Sequence, residues 1–100
     1  MRCIMDSRET VCEFRHHKQT YRLILPYGRS HFSLDILVRD EYRSWIYMWE
    51  PYGYGTYQGS HVSSALTTEG HAVELGLLSA INEAIGLFLS SSGFRTPSAS

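Results

Sequence analysis

One hundred residues with a net charge of −1 suffice for one folded domain but not for two independent cores. An apolar fraction of 43% and a charged fraction of 19% exclude a disordered polyampholyte, and the lack of a basic excess argues against a general polyanion binder. We predict a single domain over residues 1–90 and a flexible Ser/Pro/Gly tail over residues 91–100.

The N-terminal stretch does not have the apolar run of a secretory signal peptide, because Asp6, Arg8 and Glu9 interrupt it. The sequence also contains no run of about eighteen apolar residues, so we expect no membrane-spanning segment. We therefore expect a cytoplasmic protein. Since disulfides are rare in the reducing cytosol, we expect Cys3 and Cys12 to be free thiols.

The first half of the chain predicts β-structure. Residues 2–15 favour weakly extended structure without a clean alternation of apolar and polar side chains. Tyr21, Leu23 and Leu25 recur at every second position, which predicts a strand that Pro26 ends. A turn containing glycine follows it.

The clearest alternation spans residues 32–38, which we predict to be a strand. Asp40-Glu41 is predicted to turn the chain, and residues 42–50 are predicted to form the hairpin partner. Aromatic side chains recur at every second position of that partner: Trp45, Tyr47 and Trp49. Because both of its faces are apolar, we expect it to be central in the sheet or covered on both sides.

The second half of the chain predicts one helix. The Pro-Tyr-Gly-Tyr-Gly stretch at residues 51–55 is predicted to break the strand, and Thr67 or Thr68 is a good N-cap. Apolar residues then follow a 3.6-residue period over residues 68–90. They are Val73, Leu77, Ile81, Ala84 and Phe88. We predict an α+β fold, with an antiparallel sheet of three to five strands covered on one face by a single long C-terminal helix.

A zinc site is the first candidate for chemistry, with Cys3, Cys12, His16 and His17 as potential ligands. Their spacing is poor for a structural site, and in an extended chain adjacent histidines point to opposite faces. Only a helical turn at this position would bring the ligands together. We therefore expect no metal and no cofactor, while the sequence leaves open whether Cys3, Cys12 and His16 bind a metal.

Catalytic patterns are weak throughout the sequence. Neither Ser30-His31 nor Ser60-His61 lies in a Gly-x-Ser-x-Gly elbow. Asp35 lies inside an apolar strand, and we interpret it as an outward-facing residue in preference to a catalytic one. We expect a non-enzymatic protein with no catalytic residues.

Binding is better supported, because the stretch from residue 49 to residue 57 combines tyrosines with glycines, a composition typical of adaptable binding surfaces. Arginines outnumber lysines eight to one, and arginine is enriched at interfaces. We predict a partner-binding site made of Tyr52, Tyr54, Tyr57, Arg29, Arg39 and Arg43, provided that the strand ends meet.

The predicted partner is a protein, with nucleic acid as the alternative because bases stack on tyrosine rings. We expect no membrane partner, because Glu69, Glu74 and Glu83 make the predicted helix acidic. Homodimerisation through leftover apolar surface is left open.

From Phe32 onward the order of motifs resembles small ββ(β)α proteins of phages and mobile elements, including HicB-like antitoxin domains and several anti-CRISPR proteins. The resemblance covers a hairpin with Trp45-x-Tyr47, a Gly-rich turn, and Thr67-Thr68-Glu69 before an alanine-containing helix. It implies an inhibitor of a host defence complex, with an antitoxin-like nucleic-acid-binding regulator as an alternative. An immunity protein that neutralises a toxin is a further alternative. The resemblance assigns no functional residue.

Overall fold

The computed structural model describes residues 1–91. They form a six-stranded antiparallel sheet whose strands lie side by side in chain order, followed by one helix. The strands are β1 (Arg2–Met5), β2 (Glu9–His16), β3 (Gln19–Pro26), β4 (His31–Arg39), β5 (Tyr47–Gln58) and β6 (His61–Thr67), and the helix is α1 (Leu75–Ser91). The α+β class is confirmed, with six strands where three to five were predicted. Apart from Ser91, the predicted tail lies outside the described residues.

In strands β2, β3 and β4 apolar and polar side chains alternate, so every second side chain faces α1 and is buried. The helix packs against the sheet through a row of apolar side chains that recur with the predicted 3.6-residue period. The buried apolar residues shared by the two layers include Leu23, Leu25, Phe32, Leu34, Val73, Leu77, Ile81, Ala84 and Phe88. Burial of each large side chain contributes about 1.5–3 kcal/mol before conformational entropy is subtracted. No helix within residues 1–91 has the length and apolar character needed to cross a membrane.

The start of α1 differs from the prediction. The N-cap proposed at Thr67 or Thr68 is wrong, because the helix begins at Leu75. Gly70 instead adopts a left-handed conformation with φ of 89° and turns the chain back on itself. Ala72 then forms an isolated antiparallel bridge to β6. Pairing with the sheet therefore overrides the local capping signal.

The free-thiol prediction is also wrong. Cys3 in β1 and Cys12 in β2 are direct cross-strand partners, with Cα atoms 4.0 Å apart, and they form a disulfide. Cys12 is fully buried against the helix side of the sheet. The free thiols had been deduced from the expected cytoplasmic location, because stable disulfides are rare in a reducing compartment. That location stays a prediction.

The Gly-Tyr stretch does not break a strand; it forms the middle of β5. Gly55 lies opposite Phe32, and a Cβ atom added there would lie 2.0 Å from the Ser64 carbonyl oxygen and 2.6 Å from Phe32 Cζ. Glycine at this position makes room for the Phe32 ring. Pro51 is tolerated because the pairing of β5 with β6 begins only at Gly53.

The far ends of β4 and β5 extend beyond the rest of the sheet. Pairing between β3 and β4 stops at Ile36, so residues 37–39 pair only with residues 47–49 among the described residues. A loop over residues 40–46 joins the two strands, where a tight turn at Asp40-Glu41 was predicted. We call residues 37–49 the hairpin arm. It is neither central in the sheet nor covered on both sides.

Candidate partner-binding surface

The loop of the hairpin arm is held in shape by its first residue. The Asp40 carboxylate accepts hydrogen bonds from the backbone N–H groups of Tyr42 and Arg43, at 2.8 and 2.9 Å. The backbone also closes on itself, because the Asp40 N–H donates to the Ile46 carbonyl at 2.8 Å. These bonds fix the backbone of the loop, while the side chains of Tyr42 and Trp45 stay exposed.

The hairpin arm exposes four large apolar or aromatic side chains to solvent. Tyr42 is 88% exposed, Trp45 75%, Tyr47 52% and Met48 41%. A two-stranded hairpin alone is at best marginally stable, and contiguous exposed apolar surface marks interaction sites. Trp and Tyr are also the residue types that dominate binding energy at protein interfaces. The arm therefore has the composition and exposure of a docking element.

Beside the arm, where β3 separates from β4, lies an open cleft of about 510 Å³. Arg15, Lys18 and Arg39 line it together with the Tyr47 side chain, and no carboxylate of the described residues does. None of these three cations forms an ion pair within residues 1–91. We call this feature the cationic cleft. It presents three positive charges to a ligand, and one of them, that of Arg39, also borders the neighbouring groove that contains Asp40, Glu41 and Glu50.

Arg39 is oriented by its cross-strand partner. Its Nη2 atom donates a hydrogen bond of 2.9 Å to the Tyr47 hydroxyl, and its guanidinium lies 5.4 Å from the centre of the Tyr47 ring. Arginine can stack on an aromatic ring and keep other donors available for a carboxylate. The pair therefore presents a fixed cation at the edge of the cationic cleft.

Arg22 and Asp35 lie on the sheet face away from α1, as expected from their alternation with buried neighbours. Arg22 Nη2 donates to Asp35 Oδ2 at 2.8 Å, and the Arg22 guanidinium lies 4.4 Å above the centre of the Trp49 ring. The interpretation of Asp35 as an outward-facing residue is confirmed. Its charge and that of Arg22 compensate each other, so this pair adds no net charge to the surface.

The three tyrosines of the predicted site do not share one surface. Tyr54 is 51% exposed on the face away from α1. Tyr52 is an extra residue at a bulge opposite β4, and it packs edge-on against Tyr21 with ring centres 5.2 Å apart. Tyr57 also packs against the core, where burial raises the pKa of its hydroxyl. Alternation and a bulge in β5 separate the three rings.

The three predicted arginines are also separated. Arg39 and Arg43 belong to the hairpin arm, where Arg43 lies 3.6 Å from the Asp40 carboxylate. Arg29 lies in the turn before β4, and its carbonyl accepts a bond of 3.0 Å from the Tyr57 hydroxyl. Since β4 spans nine residues, roughly 27 Å separate its two ends. The condition that the strand ends meet is therefore not fulfilled.

The arm contains binding candidates that sequence reasoning missed, namely Tyr42, Trp45 and Met48, and the cleft adds Arg15 and Lys18. The available signal was the density of aromatic residues between positions 42 and 49. It was interpreted as a buried strand, because the sequence does not reveal where neighbouring strands stop pairing.

Away from this surface, His16, His17 and Glu74 place one potential metal-ligand atom each within 4.8 Å of one another. The set considered from the sequence, which included Cys3 and Cys12, is not available because the disulfide occupies both sulfur atoms.

Comparison with known proteins finds no matching family model, no matching curated protein and no matching solved structure. The resemblance to phage and mobile-element proteins stays a prediction.

Proposed function

We propose that this protein is a non-enzymatic binding protein whose hairpin arm docks onto a protein partner and modulates it. Trp45 and Tyr42 are the apolar anchors, and the cationic cleft receives an acidic side chain of the partner. The observation that carries this proposal is that Trp45 is 75% exposed and Tyr42 88% exposed. Both lie on an arm whose two strands pair with each other but with neither β3 nor β6.

The charge pattern around the arm favours a protein over nucleic acid. The cationic cleft lies near one edge, but a second groove is lined by the carboxylates of Asp40, Glu41 and Glu50, and Arg39 borders both. A polyphosphate chain following the arm would meet these carboxylates and be repelled. A protein surface with one acidic group and an apolar pocket matches both features, because interfaces are selected by local charge complementarity.

The expected contribution of the anchors follows from general interface energetics. Truncation of a buried aromatic anchor costs about 2 kcal/mol or more, and 1.4 kcal/mol corresponds to about a tenfold change in affinity. We therefore expect Trp45→Ala to weaken binding by more than about tenfold. Charge reversal of Lys18 is expected mainly to slow association, because rim charges steer the encounter.

The test is capture of the partner from cells that express this chain, followed by affinity measurement on the isolated complex. Wild type, Trp45→Ala and a control, Leu75→Ala, are compared at equal concentration. Leu75 is 80% exposed at the start of α1, so the control removes an equally accessible apolar side chain outside the arm. We expect the control to bind within about twofold of wild type.

Equal binding by wild type and Trp45→Ala contradicts the proposal. Loss of the captured material on nuclease treatment, or an affinity that falls steeply with added salt, assigns the surface to nucleic acid instead. Self-association that Trp45→Ala abolishes assigns the arm to a homodimer interface.

A further inference from the structure

We propose that His16, His17 and Glu74 form a binding site for one divalent transition-metal ion, with Zn²⁺ as the best match. The three residues come from two distant parts of the chain. His16 ends β2, His17 follows in the turn to β3, and Glu74 precedes α1. Their ligand atoms all lie within 4.8 Å of one another.

The turn between β2 and β3 brings the two histidines together. His17 has φ of 50° and Lys18 has φ of 68°, so both central residues of this two-residue hairpin are left-handed. Such turns favour Asn and Gly, and other residues adopt this conformation at an energetic cost. As a result the His16 and His17 rings meet edge to face with centres 4.2 Å apart. In an extended chain they would point to opposite faces.

The start of α1 is shaped around the His16 ring. His16 Nε2 lies 2.5 Å from Glu74 Oε1, and the His16 side chain is only 15% exposed. A Cβ atom added at Gly76 would lie 2.8 Å from His16 Cε1. Glycine is unfavourable inside a helix, so its presence here is explained by the space that the imidazole needs.

The donor set selects the class of metal. Two imidazoles and one carboxylate match Zn²⁺, whereas Mg²⁺ and Ca²⁺ prefer oxygen ligands alone. Zinc bonds of about 2.0–2.1 Å in tetrahedral geometry place ligand atoms roughly 3.3 Å apart. The exposed side chains of His17 and Glu74 can adjust by the required distance, of about 1–2 Å, through rotamer changes. Three protein ligands leave a fourth position for water or for an external group.

A simple His16–Glu74 hydrogen bond accounts for the contact between those two residues, but it does not involve His17. His17 is therefore the residue that discriminates a metal site from an isolated ion pair. His17→Asn removes the ligand and retains the turn, because asparagine tolerates the left-handed conformation well.

The experiment is calorimetric titration of the tag-free chain, disulfide intact, with Zn²⁺, complemented by the visible absorption of Co²⁺ in the same site. His31→Asn is the matched control, since His31 is exposed at the start of β4, while the turn that contains His17 lies beside the other end of that strand. We expect wild type and His31→Asn to bind one ion per chain, and His17→Asn to lose at least about tenfold in affinity. Zn²⁺ at about 100 times its Kd should lower the unfolding equilibrium constant about a hundredfold, and EDTA should reverse the effect.

Binding by His17→Asn equal to that of wild type overturns the proposal, as does a wild-type chain that takes up no stoichiometric Zn²⁺ or Co²⁺. Circular dichroism and metal-free melting establish that each variant is folded. Should His17→Asn fail to fold, Glu74→Gln provides the same comparison, because glutamine keeps a hydrogen bond to His16 but is a much poorer ligand for Zn²⁺.

Discussion

Substitution of Gly55 by alanine tests the register of three strands at once. In the structure an added Cβ atom would lie 2.0 Å from the Ser64 carbonyl oxygen, 2.6 Å from Phe32 Cζ and 2.9 Å from Phe32 Cε2. Carbon atoms in good contact are about 3.5–4.0 Å apart, so the Phe32 ring would have to move by about 1 Å and the β6 backbone by more. Phe32 is only 2% exposed and packed on all sides, which prevents an easy adjustment.

Overpacking of a core by one methyl group costs about 1–3 kcal/mol when side chains alone adjust, and here a backbone carbonyl is also displaced. We therefore expect Gly55→Ala to lower the free energy of unfolding by at least about 3 kcal/mol. Gly86→Ala is the matched control, because a Cβ atom there meets no atom of the described residues within 4 Å. In the interior of α1 that change should raise the free energy of unfolding by about 0.5–1 kcal/mol.

Urea unfolding followed by circular dichroism measures both variants, with similar m-values as the check that the unfolding reaction is the same. A Gly55→Ala chain within about 1 kcal/mol of wild type would refute the pairing of Phe32, Gly55 and Ser64 across β4, β5 and β6.

Three further predictions concern the rest of the fold. Reduction of the Cys3–Cys12 disulfide, which links residues nine positions apart, should lower the free energy of unfolding by about 2–3 kcal/mol; an unchanged urea midpoint in dithiothreitol contradicts this. Asn82→Ala should lower the free energy of unfolding by about 1–2 kcal/mol, because the Asn82 Oδ1 atom accepts a hydrogen bond of 2.8 Å from the Val62 N–H in β6. Glu83→Ala, at an exposed position of the same helix, is the control. Equal losses for the two variants would argue against a stabilising role of the Asn82 hydrogen bond. Burial, followed by the adjacent tyrosine, raises the pKa of Tyr21 to about 12 from an ordinary value near 10. Because the folded chain holds this proton to a higher pH than the unfolded chain does, the contribution of Tyr21 to the free energy of unfolding is complete below pH 10. It is lost as the pH rises through about 12. Burial also raises the pKa of Tyr57, so absorbance at about 295 nm should show late-titrating tyrosines, and Tyr21→Phe should remove the component that titrates near pH 12. A titration curve that Tyr21→Phe leaves unchanged would count against this assignment.

The sequence predicted those elements whose side chains repeat with one clear period. The alternation of residues 32–38 and the helical stripe that includes Leu77 and Ile81 both reflect burial on one face, and both are confirmed. The start of α1 was missed because a local cap at Thr67 competes with the pairing of Thr67, the last residue of β6, with Gly53 in β5. That competition is decided by tertiary contacts, which the local sequence does not specify.

Two composition-based interpretations failed for related reasons. The glycines of β5 were interpreted as breaking the strand, yet Gly55 is required by the ring of Phe32, which is distant in sequence. The thiols of Cys3 and Cys12 were interpreted as free, yet the strand register places them directly opposite each other. In both cases the deciding fact is a cross-strand neighbour.

The candidate surface was predicted only in part. Arg39 and Arg43 do lie on the hairpin arm, but the predicted tyrosines are distributed over both faces of the sheet by alternation and a bulge. The meeting of His16 and His17 depends on a left-handed turn that has none of the usual Asn-Gly signal.

The most direct test of the central claim, that the hairpin arm contacts a protein partner, is site-specific photocrosslinking in cells that express this chain. The photoreactive residue p-benzoylphenylalanine is placed at position 45 in one chain and at position 75 in another, since both native side chains are highly exposed. We predict a discrete protein adduct from position 45 and none from position 75. Partner capture without an adduct from position 45, or an adduct from position 75 alone, would contradict the claim.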